Sequence, residues 1–154
     1  MHANVVLAGT FDILHIGHKK LINHALKISK RLYLGVTSDE FVKQNKNYKC
    51  ASFEERKNNI IKFLGKRISK VEIVELNDEF GMAQNEKNLQ AIVVSDETKF
   101  RAEEINEIRK REGLQPLEII SLPIVYAEDS KKISCERIRA GEIDANGKRL
   151  KRNK

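Results

Sequence analysis

Short apolar runs alternate along this chain with longer segments whose apolar residues recur at three and four positions. Val5-Val6-Leu7-Ala8 is an unbroken apolar run and reads as a buried strand. Leu21, Ile22, Ala25, Leu26 and Ile28 follow at helical spacing, so a helix should end near Ser29-Lys30. Leu32 to Val36 reads as a second strand. The polar stretch from Thr37 to Lys49 reads as a loop. Ser52-Phe53-Glu54-Glu55 is a capping-box pattern, opening a helix with Phe53, Ile60, Ile61 and Leu64 inward. Val71 to Leu76 alternates, which suits a strand close to an edge, and Asn77 to Gly81 turns. Leu89 to Val94 is a fourth strand. A helix over Ser95 to Glu112 is stopped by Gly113, with Pro116 beyond. Leu117 to Leu122 makes a fifth strand, and a short helix runs from Ile133-Ser134 to about Gly141.

Strands alternating with helices, without hairpin signals, require right-handed crossovers. The expected architecture is α/β: a single Rossmann-like, doubly wound, mainly parallel sheet of five strands with helices on both faces. The length of 154 residues suits one domain, placed here at 1–145, with a basic, frayed tail at 146–154.

Charge changes this picture little. Net charge is +7, and five of the contributing cations (Lys148, Arg149, Lys151, Arg152, Lys154) follow the last acid, Asp144. That is a solvated end rather than a nucleic-acid surface, so no nucleic acid is expected. No apolar run approaches the roughly 18 residues of a membrane span, and the first strand begins too early for a signal peptide. Cys50 and Cys135 form no C-x-x-C pair, which argues for a reducing cytoplasm and against structural zinc.

In such a sheet, ligands bind beyond the carboxyl ends of the strands. The notable polar residues fall on those turns. The first turn is Gly9-Thr10-Phe11-Asp12-Ile13-Leu14-His15-Ile16-Gly17-His18. Gly9 lets backbone or ligand approach closely. His15 and His18 put two imidazoles on one side of a helix start, beside unpaired N–H groups and the positive end of the dipole. Neutral donors and half-charged imidazoles there make a site for phosphate oxygens. The last turn carries Ser134, able to cap a helix, with Arg137 and Arg139 following.

Gly9-Thr10-Phe11-Asp12 with His15-Ile16-Gly17-His18 resembles the signature of the nucleotidyltransferase superfamily of cytidylyltransferases and adenylyltransferases. Ile133-Ser134-Cys135-Glu136-Arg137-Ile138-Arg139 resembles its second signature, Ile-Ser-Ser-Thr, two residues, then Arg. Cys135 and Glu136 stand where Ser and Thr are usual. Val93 to Thr98, Ile105 to Arg109 and Gly113 to Ile119 are similar to the archaeal phosphopantetheine adenylyltransferase branch. So is Leu76 to Gly81, although Met82 replaces a common Pro.

The resemblance implies transfer of AMP from ATP to 4′-phosphopantetheine, giving dephospho-coenzyme A and pyrophosphate, with Mg2+ carried on the triphosphate. It implies a nucleotide site of Gly9, Thr10, Phe11, His15, His18, Ser134, Arg137 and Arg139. Thr10 and His18 would act at the α-phosphate. A loop lysine would meet both substrates' phosphates, and of Lys43, Lys46 and Lys49 the choice is Lys49, nearest the next helix. Asp78 and Thr98 complete the acceptor side. A relative using FMN or glycerol 3-phosphate as acceptor is the alternative, as is a nucleotide-binding protein without chemistry.

Overall fold

The computed structural model describes residues 1–45 and 49–150. Five strands, β1 (His2–Gly9), β2 (Ser29–Thr37), β3 (Val71–Leu76), β4 (Ala91–Ser95) and β5 (Glu118–Leu122), form one sheet in the order β3-β2-β1-β4-β5. All its pairings are parallel; β1 runs beside β2 from His2 opposite Ser29 to Gly9 opposite Val36. The edge position expected for the alternating strand is that of β3. The chain winds outward from β1 through β2 to β3, then returns to β4 on the other side of β1. The order therefore reverses between β1 and β4, and their carboxyl ends flank a crevice.

The helices are α1 (Ile16–Lys27), α2 (Asp39–Asn45), α3 (Phe53–Leu64), α4 (Lys99–Arg111) and α5 (Cys135–Arg139). Successive β1 side chains divide between the faces. Val5 and Leu7 pack with Ile22 and Ala25 of α1 and Ile60 and Leu64 of α3. Val6 packs on the opposite side with Ala102 and Ile105 of α4. Both faces are thus covered, which explains the unbroken apolar run. A third cluster of Ala127, Ile133 and Ile143 packs with Ile16 and Ile138, seating the C-terminal segment on the start of α1. Among the described residues no helix is long and apolar enough to cross a membrane.

Two sequence expectations change. The polar stretch after β2 is not all loop, because α2 occupies Asp39–Asn45. Only Val42 of that helix is buried, so it has no apolar periodicity to read. The other concerns residues 146–150, expected to fray. Asp144 Oδ1 accepts the N–H groups of Asn146 and Lys148 at 2.9 Å. Arg149 N–H donates to Glu128 Oε2 at 2.9 Å, and Leu150 N–H donates to the Glu142 carbonyl at 3.1 Å. These bonds tie residues 146–150 to the body. Residues 151–154 and Lys46 lie outside the described residues.

Candidate active site

The turn leaving β1 builds the centre of the site. Phe11 adopts a left-handed φ of 54° and tucks its ring into the core, 3 % exposed. A Cβ on Gly9 would lie 3.1 Å from that ring. The space at Gly9 is therefore filled by the Phe11 ring. Phe11 shapes the site from beneath, with its ring edge-on to His18 at 5.1 Å between centroids.

His15 is the N-cap of α1. Its Nδ1 accepts the N–H groups of Gly17 at 3.1 Å and His18 at 3.4 Å. His18 Nδ1 reciprocates by accepting the His15 N–H at 3.3 Å. The rings stack at 3.7 Å between centroids. A Cβ on Gly17 would lie 2.9 Å from His15 Cε1, so the intervening residue must be glycine for the ring to reach back. Because both Nδ1 atoms accept, each neutral ring carries its proton on Nε2 and offers one N–H donor.

These imidazoles are neutral, not half-charged as expected. Burial pushes the His15 pKa down to about 4, helped by the Lys132 charge. Burial also pushes His18 down to about 3, with the neighbouring His15 acting in the same direction and the Ile13 backbone and Asp12 opposing. Between those values and about 6.5 the unfolded chain binds protons that the folded chain refuses, so stability falls as pH falls through that window. Both rings should hold the Nε2–H neutral tautomer from pH 8 to 5 in nitrogen-detected NMR. An imidazolium transition centred near 6.5 would contradict this assignment.

Asp12, 4 % exposed, joins three distant segments. Arg139 grips it with Nε to Oδ2 at 3.0 Å and Nη2 to Oδ1 at 2.7 Å. Ala51 N–H donates to Oδ1 at 2.9 Å. Burial raises the carboxyl pKa, but Arg139, Ala51 and Cys50 together outweigh it, and the net shift is downward. The Cys50 thiol is pushed up to about 11 by burial and by Asp12. Cys135 lies on the other side of the turn, its Sγ 3.4 Å from the Ile13 N and 3.5 Å from the Ile13 O.

A cleft of about 1200 Å³ opens between the ends of β1 and β4. Of the expected residues, Gly9, Thr10, Phe11, His15, His18, Thr98, Ser134 and Arg137 line it. Ser134 caps α5 by accepting the Arg137 N–H at 3.2 Å. Arg137 is ion-paired with Asp129 and Glu142. Arg139 lines a separate cavity of about 500 Å³ with Lys19 and Lys62. Asp78 is exposed after β3, and its Oδ1 accepts the N–H groups of Phe80 and Gly81, a turn-forming role outside the cleft lining. Lys43 and Lys49 are exposed and outside it too. Lys20, His24 and Lys132, which sequence reasoning left out, do line the cleft. Lys132 pairs with Glu97 at 2.5 Å across its mouth.

His15, His18 and Cys135 bring one ligand atom each within 4.8 Å of one another. Both Nδ1 lone pairs are occupied by backbone N–H groups, and binding at Nε2 would move a proton onto Nδ1 against those donors. The cluster is built to donate hydrogen bonds rather than to hold a metal.

The family model for cytidylyltransferase-like proteins matches residues 6–141. A Methanopyrus kandleri protein named phosphopantetheine adenylyltransferase is 42 % identical, over 91 % of this chain and 90 % of its own length. The chain belongs to the phosphopantetheine adenylyltransferase branch of the cytidylyltransferase-like family. A Thermoplasma volcanium relative, named bifunctional phosphopantetheine adenylyltransferase/NTP phosphatase, is 46 % identical over 95 % of the chain, which spans only 44 % of that protein. The crystal structure of a protein of unknown function from Archaeoglobus fulgidus superposes with a TM-score of 0.70 at 29 % identity, over 85 % of this chain and 99 % of that one. Against this family's second signature, Cys135 keeps a small polar side chain at the start of α5, and its thiol sits on the Ile13 backbone.

Proposed function

We propose that this protein transfers the adenylyl group of ATP to 4′-phosphopantetheine. The observation that carries the reading is the pair of neutral imidazoles at the α1 N-terminus, lining a two-substrate-sized cleft at the sheet's switch point. The names of relatives matched over nearly their whole length supply the acceptor.

In the proposed step a phosphate oxygen of 4′-phosphopantetheine attacks the α-phosphorus of ATP. The bond from that phosphorus to the α,β-bridging oxygen breaks, and pyrophosphate leaves with the electron pair. The nucleophile is already an anion, so no side chain need remove its proton. Catalysis then consists of alignment and of hydrogen bonds to developing charge. Thr10 and His18 act at the α-phosphate. His15, Ser134, Lys132 and Arg137 face the β- and γ-phosphates, and Thr98 lies on the acceptor side. Lys49 and Asp78 would have to move from their present positions to take part.

ATP enters as its magnesium complex. Of the three carboxylates that line the cleft, Asp12 is held by Arg139 and Glu97 by Lys132, and Glu136 alone is too few for a resident magnesium. The metal therefore arrives as part of the substrate. Pyrophosphate release should be rapid with 4′-phosphopantetheine and negligible with FMN or glycerol 3-phosphate. The reverse ranking would overturn the acceptor assignment.

A further inference from the structure

Thr10 can serve the reaction only if its hydroxyl proton faces the cleft, and the residues behind it decide that. Thr37, the last residue of β2, donates from Oγ1 to Thr10 Oγ1 at 3.0 Å. Behind Thr37 stands Arg56 of α3, fully buried. Its Nη1 donates to the Thr37 carbonyl at 2.7 Å and the Thr10 carbonyl at 2.9 Å, and lies 3.5 Å from Thr37 Oγ1. Its Nε donates to the Ala51 carbonyl at 2.9 Å, and its Nη2 to Asp39 Oδ1 at 3.1 Å.

We infer that Arg56 and Thr37 form a positioning relay that fixes Thr10 as a hydrogen-bond donor toward the phosphate it meets. The inference rests on the adenylyltransferase reading above. A guanidinium has donors and no acceptor, so a hydroxyl beside it turns its oxygen toward the charge and its proton away. For Thr37 the direction away from Arg56 is the Thr10 oxygen. Thr10 then already accepts one proton, and its own proton has no acceptor among the described residues. The opposite polarity, Thr10 donating to Thr37, would present only lone pairs to a phosphate oxygen. The guanidinium thus selects one of two hydroxyl arrangements before substrate arrives, a preorganisation of the donor that costs nothing at the moment of reaction. Arg56 and Thr37 touch no substrate in this scheme. They act through Thr10.

The test is a double-mutant cycle. Thr37→Val keeps the shape and removes the donor, and should lower kcat about tenfold with KM for ATP little changed. Thr37→Ser restores the hydroxyl and should restore the rate to within about twofold. In a Thr10→Val background, Thr37→Val should cost nothing further. Each melting curve checks that the variant is folded; if the valine variant is not, Thr37→Ala gives the same comparison. An unchanged kcat in folded Thr37→Val, or the same loss in both backgrounds, would overturn the relay. Rates are read as pyrophosphate release with whichever acceptor the wild-type protein uses. Failure of 4′-phosphopantetheine as acceptor therefore sinks the earlier reading and leaves this cycle readable.

Discussion

His18→Ala is expected to lower kcat by about 10²–10³-fold, the loss typical of removing one donor to transition-state charge. The KM for ATP should change little, because a contact that tightens only as charge develops contributes little to ground-state binding. The fold should survive. The substitution removes one cap bond, from the His15 N–H to His18 Nδ1, worth about 1 kcal/mol. It also removes the edge contact with Phe11. His15→Ala is a poorer probe, since His15 Nδ1 satisfies two N–H groups and its loss mixes chemistry with helix capping. Single-turnover formation of dephospho-coenzyme A, with a melting curve for each variant, separates the two. A folded His18→Ala protein with nearly full turnover would reduce His18 to a capping residue.

What the sequence made legible follows from how local each signal is. Strand and helix alternation and the histidine turn rest on residues within a few positions of one another, whereas the strand order does not. The neutral state of the histidines does not. It comes from burial contributed by the whole fold and, at His15, from Lys132, which is far from it in sequence. Arg56 did leave a trace. It falls three residues after Phe53 and four before Ile60, on the apolar stripe of α3, where a charged residue must find partners. Thr37 lies at the carboxyl end of β2, the edge where ligands bind, but its use as a donor depends on that arginine. The bond between Asp12 and Arg139 joins positions 127 apart and leaves no local mark. That bond holds Arg139 against the first turn, outside the cleft lining.

Arg139→Leu should therefore act first on stability. Asp12 is buried, and its charge is tolerated because a bidentate guanidinium faces it. Removing one partner of a fully buried pair costs about 3–5 kcal/mol. Arg139 reaches solvent, with its side chain 36 % exposed, so the expected loss is nearer about 2 kcal/mol, or roughly 4–8 °C in melting temperature. The pH dependence carries the diagnosis. In the wild-type protein the Asp12 pKa lies below its unfolded value, so its contribution is present above about pH 4 and is lost as pH falls through the folded value. In the variant Arg139 no longer lowers that pKa, so the folded value rises relative to the wild-type protein, with Ala51 and Cys50 still opposing burial. That carboxyl then binds a proton more readily than the wild-type one does, and the penalty of its buried charge shrinks as pH falls. The stability gap between the two proteins should thus close in acid, while the histidine contribution, common to both, cancels. Adding Asp12→Asn should recover part of the loss at neutral pH, because the amide oxygen still accepts the Ala51 N–H without a buried charge. Urea titrations from pH 7.5 to 4 measure all three proteins. A gap that stays constant with pH would mean that Arg139 supports the turn by packing rather than by charge, and the link between α5 and the histidine turn would have to be sought in the Cys135 contact with Ile13.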